Sequence, residues 1–154
     1  MQQWLALYNE HAAKVALVTG LDSKDLLVFF YLFGMKVFAR QPRHSAHAIY
    51  NAVNSALKSS LTLLLPVEGI SDRTCSESLD KLVQFGFVNR IKPRGKIVVG
   101  EEGGRPPSFV YEARSVVEII EHILEEVELK KHNFFMIFDG LRQLEEEAGL
   151  RRYK

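Results

Sequence analysis

Residues 71–85 carry polar side chains at a spacing that could read DNA. As a helix, this segment places its apolar side chains on one face and its polar side chains on the other. On the polar face, Arg73 can donate two hydrogen bonds to a guanine edge, Ser76 can bond a base or a phosphate, and Glu77 can accept from cytosine. The predicted base contacts are Asp72, Arg73, Ser76 and Glu77, opposite the inward positions Cys75, Leu79 and Leu82.

A run of cations follows this segment. Five of them fall between residues 90 and 105, where the only carboxylates are Glu101 and Glu102, although the net charge of the whole chain is +1. A local patch of this kind neutralises phosphates and supplies sequence-independent affinity that falls with salt. The predicted contacts to the DNA backbone are Ser71, Thr74, Lys81, Arg90, Lys92, Arg94, Lys96 and Arg105.

These side chains need elements that position them. Alternating hydrophobicity predicts strands at 87–91, 96–99 and 109–111, which would form a basic hairpin over 90–105. Helical periodicity and end signals predict helices over 2–18, 22–38, 45–57 and 71–85, one from about 115 and a last one over 134–148. The second helix is apolar nearly all round, so we expect it at the centre of the core.

The segment around these residues resembles a known family. The run Gly69-Ile-Ser-Asp-Arg-Thr-Cys-Ser-Glu-Ser-Leu-Asp-Lys-Leu-Val-Gln-Phe-Gly-Phe-Val is similar to the recognition helix of winged-helix regulators. Gly104-Arg105-Pro106-Pro107, followed by Tyr111, resembles the wing-closing element of archaeal regulators in the TrmB, PadR and MarR-like groups. The resemblance implies a dimeric transcription factor whose terminal helices dimerise. Relative to that family, residues 43–58 look like an inserted helix ahead of a short helix-turn-helix that starts near residue 60.

The expected fold is mainly α with a small β-hairpin: a winged helix-turn-helix domain with helical extensions at both ends. We expect an N-terminal helix at 1–20, the DNA-binding domain at 21–112 and a C-terminal helical region at 113–154. The apolar stripe of the first helix and the four-three-four spacing in the fifth suggest packing against a second copy. The predicted dimer contacts are Trp4, Tyr8, Val116, Ile120, Ile123 and Val127.

Other classes of function have weaker support. Cys75 is the one cysteine, and His44 with His47 lacks further ligands nearby, so we expect no metal and no other cofactor. No nucleophile–base–acid set is discernible, and we do not expect an enzyme. The most apolar stretch, 26–38, is too short to span a bilayer, and no signal peptide is visible, which favours a cytoplasmic protein without a membrane partner.

Two alternatives stay open. The acidic residues among 71–85 would also suit a winged-helix module that binds protein within a larger transcription or replication assembly. A ligand-sensing repressor is the other alternative, with a small-molecule effector between the terminal helices near the aromatic cluster 134–138, although apolar packing explains that cluster more simply. The favoured partners are double-stranded DNA and a second copy of the chain.

Overall fold

A computed structural model describes residues 3–59, 70–92, 109–126 and 131–149. In these ranges the chain is mainly helical with a small three-stranded antiparallel sheet, which confirms the expected fold class at that level. No helix in the same ranges combines the length and apolar character needed to cross a membrane. The elements are α1 (Gln3–Thr19), α2 (Ser23–Val37), β1 (His44–Ser45), α3 (Ala46–Ser59), α4 (Asp72–Gln84), β2 (Val88–Ile91), β3 (Val110–Ala113), α5 (Val116–Glu126) and α6 (Lys131–Glu147).

Helix α2 is the centre of the core, as its all-round apolar sequence predicts. It begins at a capping box: the Asp22 side chain accepts from the Asp25 backbone N–H at 3.0 Å, and the Asp25 side chain accepts from that of Asp22 at 3.2 Å. The side chains from Leu26 to Phe33 are all buried, and α1, α3, α4 and β3 pack around them. The other elements are therefore placed by their contact with α2.

Helix α1 packs closely on α2 and covers it. A Cβ at Gly34 would collide with Trp4, so glycine is what allows the two helices to approach. Trp4 and Tyr8 are buried in the core of this one chain, and the Trp4 ring meets Tyr31 edge to face at 5.5 Å. Side chains buried in this way have no surface left for a second copy. Their prediction as dimer contacts is therefore wrong.

The same correction applies to helix α5. Val116 and Ile120 are buried in the core, whereas the Ile123 side chain and Val127 lie outside the described residues. In the last helix, Phe138 is also buried and its ring lies 6.1 Å from that of Phe87. An apolar helical stripe shows that a face is covered but does not show whether the cover is the same chain or a partner.

The sheet has the strand order β1–β3–β2, with both pairs antiparallel. Arg90 of β2 pairs with Tyr111 of β3, whose other neighbour is His44 of β1. Strand β1 was not predicted, because two residues are too few to show alternation. The predicted strand 96–99 lies outside the described residues.

Helix α3 belongs to the core, and its interpretation as an insertion relative to the winged-helix family stays a prediction. Ile49 and Val53 are fully buried, and α3 packs on both α2 and α4. Asn54 also accepts from the backbone N–H of Ile70 at 2.9 Å and donates to its carbonyl at 2.8 Å. Helix α3 thus holds the residue that leads into α4. The short helix predicted near residue 60 lies outside the described residues.

A buried ion pair fastens the last helix to the rest of the chain. The Lys36 ammonium contacts Glu145 Oε2 at 2.7 Å and donates to the carbonyls of Ala113 and Arg114, each at 3.1 Å. The other Glu145 oxygen accepts from the backbone N–H of Val116 at 2.9 Å. All three ammonium protons and both carboxylate oxygens are therefore used, as a buried charge pair requires.

Candidate nucleic-acid interface

Helix α4 has the ends and the inward face that its sequence predicts. Ser71 caps it by accepting from the backbone N–H of Thr74 at 3.0 Å, and Gly86 ends it with a φ of 83°. A side chain at Gly86 would also collide with the His122 ring. The buried residues of α4 are Cys75, Ser78, Leu79 and Leu82, of which Ser78 was not predicted to face inward.

The polar side of α4 faces solvent. All four predicted base contacts are exposed, and so is Asp80. The predicted orientation of the helix is confirmed in this respect, while contact with DNA stays a prediction. We call this surface the outer face of α4; it consists of Asp72, Arg73, Ser76, Glu77 and Asp80. With three carboxylates and one guanidinium, the outer face alone is acidic.

The one cation of the outer face is already paired. Arg73 Nε donates to Glu77 Oε2 at 3.1 Å, one helical turn away, and the two side chains are 88% and 64% exposed. A pair this exposed contributes about 0.3–0.5 kcal/mol. Arg73 can therefore exchange Glu77 for another acceptor at little cost.

Lys81 has a structural role that the sequence did not reveal. Its ammonium lies 2.8 Å from Oδ2 of the buried Asp25, whose other oxygen accepts from the Ser78 hydroxyl at 2.7 Å. The hydrogen bond to Asp25 raises the pKa of Lys81, with the carboxylate charges adding to the effect. Lys81 thus orients α4 on α2. Its side chain is partly open to solvent, and its assignment as a phosphate contact stays a prediction.

Two predicted backbone contacts lie on or just after β2. Lys92 is exposed, and Arg90 forms an ion pair with Asp80 of α4. The Arg90 guanidinium also stacks near two rings, 5.4 Å from the centroid of Phe109 and 5.7 Å from that of Tyr111. The remaining cations of the predicted basic hairpin, Arg94, Lys96 and Arg105, lie outside the described residues.

An open groove of about 560 Å³ lies between α3 and the start of α4. Among the described residues that line it there is no carboxylate, and Lys58 supplies one cation beside several amide and hydroxyl groups. Sequence reasoning missed this groove, although the lack of any Asp or Glu in α3 was a signal for it. The lining residues are Tyr50, Asn51, Asn54, Ser55, Lys58, Ile70 and Ser71.

Cys75 lies on the inner face of α4, where a thiol is unreactive. Its thiol is directed at the Ala46 carbonyl with an S···O distance of 3.8 Å. Burial, and to a lesser degree the charge of Asp72, raises the pKa of Cys75 to about 11. The thiol is therefore protonated at neutral pH, which disfavours a thiol sensor here.

The histidine pair considered as a metal site is otherwise engaged. His44 Nε2 lies 2.7 Å from the Gln41 carbonyl, and His47 Nε2 lies 3.1 Å from the Asn51 side-chain amide. Within the described ranges no group of three or more His, Cys, Asp or Glu side chains could hold a metal ion.

Comparisons of the chain with protein-family models, with curated proteins and with solved structures found no match.

Proposed function

We propose that the chain is a sequence-specific DNA-binding regulator of transcription whose helix α4 enters the major groove. The observation that carries the proposal is the element order α2, β1, α3, α4, β2, β3, with β3 between the other two strands. Winged-helix domains have this order and this sheet. In them, the helix in the position of α4 reads the bases, and the connection between the last two strands is the wing.

The surroundings of α4 support the same orientation. Its outer face is exposed, and its inner face is fixed to α2 through Ser78 and Lys81. The connection from β2 to β3 carries the predicted wing cations. The groove beside Ser71 adds Lys58, whose ammonium suits a phosphate because none of the described residues that line the groove is a carboxylate.

A homodimer remains part of the proposal, on surfaces other than the buried ones predicted from sequence. Two copies related by two-fold symmetry would place their α4 helices in half-sites about one helical turn, ~34 Å, apart. Sedimentation of the protein with and without a two-site duplex tests this arrangement. A single copy bound to each duplex would contradict it.

Substitution of Arg73 and Lys96 tests the DNA assignment. Arg73→Ala should relax base preference and cost about 1–3 kcal/mol of binding free energy, because a bidentate base contact is lost. Lys96→Ala should weaken binding to all sequences alike and reduce its salt dependence. Fluorescence anisotropy with selected and scrambled duplexes measures both, with Lys14→Ala on the exposed side of α1 as the control. If neither substitution changes binding, the groove assignment is wrong.

A second candidate function has one observation in its favour. The outer face of α4 carries Asp72, Glu77 and Asp80 against Arg73 alone, which would suit a basic protein partner. The same titration separates the two functions. A protein-interaction module should show no DNA binding whose affinity falls with salt.

A further inference from the structure

Each of three cations at α4 and β2 is held by a carboxylate of the same chain. Two of the pairs are open to solvent, whereas in the third the carboxylate is buried and the pair fixes α4 to α2. The solvent-open pairs link Arg73 to Glu77 and Arg90 to Asp80, and the third links Lys81 to Asp25.

We infer that Glu77 and Asp80 are internal competitors of DNA: they occupy Arg73 and Arg90 and so suppress binding to non-cognate sequences. This inference rests on the proposed function and concerns the specificity of the same surface. It gives Glu77 and Asp80 a role that core packing does not require, since both side chains are exposed.

Binding to non-cognate DNA is suppressed because each arginine must give up its carboxylate partner when it binds DNA. A phosphate offers Arg73 one new acceptor in place of Glu77, and it leaves that carboxylate unpaired beside a polyanion. A cognate base pair does more, because a guanine edge accepts two bonds from the arginine while a cytosine amino group donates to the carboxylate. The competitor thus penalises non-cognate DNA more than cognate DNA, and specificity is that difference.

The pair of Arg90 and Asp80 can compete with DNA in the same way at strand β2. Arg90 is oriented by Asp80 on one side and by the rings of Phe109 and Tyr111 on the other. The rings can keep the guanidinium in place when the carboxylate is removed. Neutralising Asp80 therefore leaves the Arg90 guanidinium in place and free to bind a phosphate.

Salt dependence distinguishes internal competition from simple repulsion. When a paired arginine binds a phosphate, a counterion leaves the DNA, but the carboxylate that the arginine has left takes up a cation from solution. Fewer counterions are therefore released in total than when an unpaired arginine binds the same phosphate. Removal of the competitor should restore that release. Glu77→Gln and Asp80→Asn should therefore steepen the plot of log affinity against log salt, by up to about 0.9 for each phosphate gained.

The experiment measures the affinity of a non-cognate duplex across a salt series. We expect Glu77→Gln and Asp80→Asn each to tighten binding roughly threefold or more at low salt. A double-mutant cycle with Arg73→Gln isolates the pair, because Glu77→Gln should have little effect once Arg73 is absent. Asp139→Asn is the matched control, since Asp139 pairs with Arg142 of the same helix on a partly exposed side of α6, and α6 is not among the elements that pack extensively on α4.

The outcomes separate the inference from the proposed function. If the parent and every variant fail to bind DNA at any salt, the proposed function fails. If the parent binds but the cycle is additive, or if Asp139→Asn tightens binding equally, internal competition is overturned and the proposed function stands. Circular dichroism and thermal unfolding of each variant establish that it has folded.

Discussion

Two sets of ion pairs in this molecule use the same chemistry in opposite environments. Glu145 and Asp25 are 1% and 3% exposed and pair with Lys36 and Lys81, respectively. The Arg73–Glu77 pair, by contrast, is largely open to water. Each buried carboxylate also accepts backbone or hydroxyl hydrogen bonds, whereas Glu77 serves only its arginine among the described residues.

The difference teaches which pairs hold the fold and which can change partner. A buried pair is costly to break because the remaining charge has no water to replace its partner. An exposed pair is cheap to break because water solvates both ends. We therefore expect the buried set to control stability and the exposed set to control recognition, and the substitutions below test that division in order of effect.

The largest effect should come from Glu145→Ala. The substitution leaves the Lys36 ammonium buried without its carboxylate and removes the acceptor for the Val116 backbone N–H. We expect a loss of about 3–5 kcal/mol in the free energy of unfolding. Urea denaturation followed by circular dichroism measures it.

The double variant Lys36→Met with Glu145→Leu is the control for that experiment. It removes both charges and fills their space with apolar side chains, so it should recover much of the stability that Glu145→Ala loses. If Glu145→Ala lowered the free energy of unfolding by less than about 1 kcal/mol, the Lys36–Glu145 pair would be hydrated in solution. The contrast between buried and exposed pairs would then fail.

Asp25→Ala should have the second largest effect. It removes the side-chain half of the capping box of α2, the acceptor of the buried Ser78 hydroxyl and the partner of Lys81. We expect a loss of about 2–3 kcal/mol, below that of Glu145→Ala because Lys81 is partly exposed and can turn to solvent. Ser78→Ala, which removes only the hydroxyl, should cost about 1 kcal/mol. Equal losses in the two variants would contradict the role assigned to Asp25.

Local signals predicted helix α4 well. Ser71 is a capping residue, Gly86 permits a positive φ, and the inward positions recur at helical spacing. The same signals predicted that the outer face would be exposed. The helix that presents the candidate site was therefore readable from about fifteen consecutive residues, because its ends and faces depend on neighbours in the chain.

Contacts between distant parts of the chain could not be predicted from the sequence. Asp25 meets Ser78 across 53 positions, and Lys36 meets Glu145 across 109. Periodicity assigns a residue to a face but does not say what that face meets. For the same reason Trp4 and Val116 were predicted at a dimer interface, although both are buried in their own chain.

The half-buried His11 ring has no buried charge partner among the described residues, because the nearby carboxylate of Glu10 is exposed. The ring is stacked on Phe30 with centroids 6.4 Å apart, and burial lowers its pKa below the ordinary value of 6.5. The unfolded chain therefore binds the proton more readily, and the free energy of unfolding should fall as pH drops through 6.5 towards the lowered pKa.

Thermal unfolding between about pH 7.5 and pH 5 measures this effect, with His11→Gln as the uncharged comparison. The melting temperature of the parent should fall more steeply with acid than that of the variant. The effect should be smaller than that of Asp25→Ala, because protonation alone removes no packing contact. Parallel curves for the two proteins would show that His11 is solvated when the protein is folded.

The smallest effect on stability should come from the pair that matters most for recognition. Glu77→Gln and Arg73→Gln each break an exposed ion pair and leave the core untouched, so we expect changes under about 0.5 kcal/mol in the free energy of unfolding. Urea denaturation beside Asp25→Ala measures them under identical conditions. A loss above about 1 kcal/mol in the free energy of unfolding would mean that the Arg73–Glu77 pair stabilises the fold as the buried pairs do. Arg73 could then not exchange Glu77 for DNA without destabilising the protein. A negligible loss together with altered DNA binding is the combination that the division between buried and exposed pairs requires.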